Sequence, residues 1–83
     1  MKVNWYFRGT RGHWTSIEGR FEILPVYEGE DCKAIACYEL NDYSTGKVYV
    51  QYSVSEAKRS AQDFCEKEYI ASVKQKHMET ISA

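Results

Sequence analysis

With 83 residues, a net charge of −1 and 28% charged side chains, the chain reads as one small soluble domain with a modest core and little room for a deep catalytic cleft. The 43% apolar and 14% aromatic content argues against disorder and suffices for a small packed sheet. No apolar stretch approaches the roughly 18 residues that span a bilayer, and the N-terminus lacks the apolar run of a secretion signal, so the expectation is a single domain over 1–83, cytoplasmic, with no membrane contact.

The small total hides an uneven distribution of charge. Residues 1–20 carry Lys2, Arg8, Arg11 and Arg20 against Glu18 alone, whereas residues 21–53 set Lys33 and Lys47 against six acids. Residues 54–83 hold five of each sign. The chain as a whole therefore has no strong attraction to nucleic acid, while a local basic edge and an acidic segment suited to a basic partner both remain.

In chain order, Val3, Trp5 and Phe7 alternate with Asn4, Tyr6 and Arg8, the period-two pattern of a strand with one buried face. Gly9-Thr-Arg-Gly12 supplies turn glycines, so Trp14–Ile17 can fold back beside it. Glu18-Gly19 is a second turn signal or a bulge. Phe21 and Ile23 continue the alternation until Pro25, which stops the strand or marks an edge because proline lacks a ladder donor.

Tyr27-Glu-Gly-Glu-Asp31 is a polar, glycine-bearing loop, and residues 33–40 resume as a strand. Asn41-Asp-Tyr-Ser-Thr-Gly46 is a hairpin loop, after which Val48, Val50 and Tyr52 are expected to face the core opposite Ala36, Tyr38 and Leu40. Then Ser53-Val-Ser-Glu56 matches the S-x-x-E capping box, in which the serine oxygen accepts a backbone N–H and the glutamate reaches back to the cap. The spacing predicts a helix over 54–76 with a frayed end beyond it. Val54, Ala57, Ala61, Phe64, Cys65 and Tyr69 fall within roughly a third of its circumference. Past Tyr69 the stripe drifts to Ile70, Val73 and Met78, where the helix frays, bends, or offers an apolar surface to another chain, a second copy included.

Motifs for chemistry are sparse. Cys32, Cys37 and Cys65 form no C-x-x-C pair and leave at least one thiol unpaired. Cys37 and Cys65 sit in apolar contexts suited to small core fillers. Cys32 follows Glu28, Glu30 and Asp31, whose charge disfavours a thiolate. His13 falls in an apparent turn and His77 near the C-terminus, neither with a patterned nucleophile nearby. Gly9, Gly12 and Gly19 lack phosphate-loop spacing. The expectation is no enzyme, no metal and no cofactor.

Two resemblances add to this reading. Ser53-Val-Ser-Glu-Ala-Lys-Arg-Ser-Ala61 after a run of strands resembles the end of a double-stranded-RNA-binding domain, without that family's N-terminal helix and with only Lys58-Arg59 as its basic pair. More broadly, the segments 14–23, 38–40 and 53–61 resemble small phage- and prophage-encoded host-takeover proteins, anti-CRISPR proteins among them. That resemblance implies a non-enzymatic inhibitor or modulator that occupies the surface of a host protein.

The fold expectation is α+β: an antiparallel sheet of three or four strands over about 2–52, with one long C-terminal helix packed on one face. Its predicted core comprises Trp5, Phe7, Phe21, Ile23, Tyr38, Leu40, Val48, Val50, Ala57, Ala61 and Phe64. The leading functional expectation is a protein-binding module whose loop acids Glu28, Glu30 and Asp31 contact a basic host protein, such as a nucleic-acid-binding complex. The alternative is nucleic-acid binding through Tyr6, Arg8, Arg11 and Arg20, with Lys58 and Arg59 on phosphates.

Overall fold

A computed structural model describes residues 2–9, 12–31 and 33–82, with helix side chains as far as residue 76. Arg11, Cys32 and the His77 side chain lie outside the described residues. Five strands, β1 (Trp5–Arg8), β2 (His13–Ser16), β3 (Phe21–Glu28), β4 (Ala34–Asp42) and β5 (Lys47–Gln51), precede one helix, α1 (Val54–Ser82). The strands form an antiparallel meander in the order β1-β2-β3-β4-β5. The expected α+β class therefore holds, with five strands instead of three or four. The extra count comes from the short β1–β2 hairpin, where both four-residue strands pair in full register.

Local signals mark most boundaries. Gly12 and Gly19 take positive φ in the turns on either side of β2, as glycine can without a Cβ clash. Pro25 does not stop β3: the strand runs through it, opposite Tyr38, where no β2 residue pairs on the other side. Proline is tolerated there because its missing N–H would have faced an empty edge. At the helix start the Ser53 Oγ accepts from the Glu56 N–H at 3.0 Å, while Glu56 reaches one residue further back than a capping box predicts and accepts from the Tyr52 N–H at 3.2 Å. The helix continues to Ser82, past the predicted limit near residue 76.

One face of the sheet is covered by α1. The core consists of Val3, Phe21, Ile23, Leu40, Ala57, Ala61 and Cys65, with Trp5, Trp14, Tyr38, Tyr49, Val54 and Phe64 packed around it. Ala57 and Ala61 are wholly buried, and their small side chains let the helix axis approach the strands closely.

Three predicted core residues are not in it. Phe7 is 53% exposed on the edge strand β1, its ring tilted 51° against that of Trp14 with centroids 5.1 Å apart. Val48 and Val50 are exposed because Leu40 pairs with Tyr49, which turns Tyr49 toward the helix and both valines to the open face. The turn sets that register: Asp42 pairs with Lys47, the Gly46 N–H donates to the Asp42 carbonyl at 2.8 Å, and Gly46 takes a positive φ. A shift by one residue reverses every side chain of a strand.

The molecule is elongated, 62 × 20 × 20 Å. The helix packs on β3, β4 and β5, and Glu68 binds Arg20 just before β3. From Glu66 to Lys76 every described helix residue is exposed. On the other side, the β3–β4 hairpin extends past β2 and past β5 to the acidic turn.

Candidate functional site

The predicted contact acids occupy the tip of that hairpin. Glu28 ends β3, correcting its placement in a loop, and Gly29 with φ 85° turns the chain. Glu30 and Asp31 follow, and the Asp31 carboxylate accepts from the Lys33 N–H at 3.3 Å. Glu28, Glu30, Asp31 and Lys33 are all exposed, so three carboxylates face water with one lysine among them. Behind the tip, Tyr27 and Ile35 form a cross-strand pair, 49% and 45% exposed. The tip thus joins like charge, which steers a partner from a distance, to an apolar pair that can be desolvated on contact.

Among the described residues, the basic side chains of the alternative reading do not share a surface. Arg8 stands with Tyr6 on the open face, its guanidinium carbon 6.0 Å from the ring centroid. Lys58 projects from the helix on the opposite face, with its ammonium 3.5 Å from the centroid of Trp14, and Arg59 is exposed one residue further on. Arg20 is engaged inside the fold. Its Nε and one terminal nitrogen each donate to Asp42 at 3.0 Å, and both terminal nitrogens donate to Glu68 at 2.7 Å. The guanidinium also lies 4.7 Å from the centroid of the Phe21 ring.

This clamp ties the start of β3 to the end of β4 and to the middle of α1. Asp42 is 2% exposed, and besides Arg20 it accepts from the Ser44 N–H and hydroxyl. The Arg20 hydrogen bonds outweigh burial and hold the Asp42 carboxyl down at about 2, against an ordinary value of 3.8. Glu68 is lowered for the same reason. A carboxyl depressed in the folded state stabilises the fold above its unfolded value, and that contribution is lost as pH falls through the folded value. Stability should therefore decline between about pH 4 and pH 2 by on the order of 2 kcal/mol from Asp42. Urea melts at pH 5 and pH 2.5 of the wild type and of Asp42→Asn measure it; an equal loss in both proteins assigns the acid sensitivity elsewhere.

Sequence reasoning missed a polar cluster on the open face. Thr15, Glu22, Asn41 and Val48 are successive cross-strand partners, and Tyr6 pairs with Thr15. His13 is 3% exposed, with its Nε2 2.9 Å from the Glu22 carboxylate. The Tyr43 hydroxyl donates to the other Glu22 oxygen at 2.7 Å, which raises its pKa. The available signal was alternation: a polar row on β2, β3 and β4 marks the face turned away from the helix, and His13 belongs to it as a strand residue.

Cys65 is buried beside Arg20, and burial pushes its thiol pKa up, as suits a core filler. Tyr69, Ile70 and Val73 form an exposed patch rotated about 130° around the helix from the sheet-facing stripe of Ala57, Ala61 and Cys65. Tyr69 itself lies only about 40° from Cys65, at the margin of that stripe, yet it is 55% exposed. No helix among the described residues is long and apolar enough to cross a membrane. Comparison with protein-family models, curated proteins and solved structures finds no match.

Proposed function

We propose that this chain is a non-enzymatic protein-binding module that occupies a basic surface of its partner through the acidic tip of the β3–β4 hairpin. A phage-type inhibitor or modulator of a cytoplasmic host protein is the form this reading takes. The single observation that supports it most is the placement of Glu28, Glu30 and Asp31, exposed together at the end of a hairpin that projects beyond the rest of the sheet. Basic sites on nucleic-acid-binding proteins supply the complementary charge.

The test is capture of partners from bacterial lysate by the wild type and by Glu28→Gln/Glu30→Gln/Asp31→Asn. The Asn at 31 keeps an acceptor for the Lys33 N–H. A stoichiometric partner should be retained by the wild type in low salt, and its affinity should fall about tenfold or more in the triple variant. Retention unchanged by the variant would remove the tip as the contact, and recovery of no protein partner would remove the module. The nucleic-acid reading keeps one observation in its favour, the adjacent Tyr6 and Arg8 on the open face. Gel shifts with single-stranded DNA, duplex DNA and duplex RNA at low salt decide it, since phosphate contacts must give salt-sensitive binding.

A further inference from the structure

The acidic tip carries a second feature that its charge does not explain. Beyond Ile23 no β2 residue pairs with β3, and before Tyr38 no β5 residue pairs with β4, so the outer part of the hairpin has two edges without a neighbouring strand. The edges are unlike. Leu24–Glu28 contains Pro25 and Glu28, and both devices discourage another strand from adding there. Ala34-Ile35-Ala36-Cys37 has neither charge nor proline, and its first three residues are exposed. An uncharged, exposed strand edge is a template for backbone pairing.

From this we infer that the β4 edge at Ala34–Cys37 accepts an extended, basic segment of a partner protein as an added strand. The inference rests on the protein-binding reading above and names the chemistry of its partner. Backbone groups of the edge form the ladder, Ile35 and Tyr27 meet apolar side chains of the incoming segment, and Glu28, Glu30 and Asp31 meet its cations. The register shift between β3 and β4 at Val26/Tyr27 leaves Ala36 opposite no residue, which twists the edge and keeps the added ladder short. Binding must therefore draw on charge as well as on backbone pairing. Charge also selects the occupant: a second copy paired antiparallel on this edge would set its residue 40 opposite Asp31 and bring no cation to Glu28, Glu30 and Asp31, whereas a basic segment would.

The probe is a blocked seven-residue peptide alternating lysine and valine, compared with a counterpart N-methylated at every internal residue. The counterpart keeps the charge and loses the backbone donors. In an NMR titration of the full chain the parent peptide should shift and protect the amides of Ala34–Cys37, and the N-methylated peptide should bind at least about tenfold more weakly. Both should weaken against Glu28→Gln/Glu30→Gln/Asp31→Asn. Equal binding of the two peptides, still dependent on the acids, overturns strand addition and leaves the acidic-tip reading standing. No binding of either peptide up to millimolar concentration, together with partner capture that ignores the acids, removes both. Concentration-dependent protection of Ala34–Cys37 without peptide makes a second copy the occupant and likewise overturns the proposal.

Discussion

Replacing Phe21 with alanine should lower the unfolding free energy by about 4 kcal/mol, the range for a fully packed aromatic. Phe21 has no exposed surface and lies on the central strand β3. Its ring stands 6.2 Å from Trp5 and 4.7 Å from the Arg20 guanidinium, so its removal leaves a cavity between the sheet and the Arg20 clamp that neither neighbour can fill without breaking its own contacts. A domain of this length has a total stability of roughly 4 to 12 kcal/mol, so the variant should be partly unfolded at 37 °C. Phe7→Ala, on a side chain 53% exposed, should cost far less. Urea denaturation of both variants is the measurement, and near-equal losses would contradict the assignment of Phe21 to the centre of the core.

Arg20→Ala should cost about 3 kcal/mol, mainly because it strands a buried carboxylate. Asp42 is 2% exposed and keeps only the Ser44 donors once the guanidinium is gone. Arg20→Lys should recover little, since a single ammonium cannot reproduce two forks, one on Asp42 and one on Glu68. Glu68→Gln is the control. That residue is exposed, and its share of the clamp is screened by water, so its loss should stay below about 1 kcal/mol. A double-mutant cycle over Arg20 and Asp42 reads the coupling. If the Arg20→Ala, Asp42→Ala double variant is as unstable as the two single losses added together, the pair is not the fastener between β3 and β4.

The two effects bear on function through the position of the hairpin. Phe21 and Arg20 secure β3 and β4 at the base of the sheet, and the acidic tip is the far end of those same strands. The part of the hairpin from Leu24 outward, which β2 does not flank, depends on that base for its direction. On the proposed function, variants at the tip should therefore change binding with little change in stability, while variants at the base change stability first.

Much of the fold was legible without coordinates because its signals are local. The capping serine, the turn glycines at 12, 19 and 46, the alternation through Phe21 and Ile23, and the Ala57–Ala61–Cys65 stripe each act within a few residues of chain. The acidic tip was legible too, as a charged loop. Its projection was not, because that depends on how far β2 and β5 accompany the hairpin.

The amino-acid sequence by itself determined the class of the fold, the point at which sheet gives way to helix, and the segregation of acidic from basic segments, since propensity, capping and charge are properties of neighbouring residues. Tertiary structure alone decided which face of β5 is buried and what Arg20 does. The pattern Lys47-Val-Tyr-Val-Gln51 can present either its valines or Tyr49 inward, and the turn at Asp42 chose Tyr49 by fixing the register with Leu40. Arg20 looks like any surface cation in a basic segment until Asp42, 22 residues away, and Glu68, 48 residues away, are brought to its two sides. Partners at such separations leave no local trace, because the energy that selects them arises only when the strands and helix have already packed.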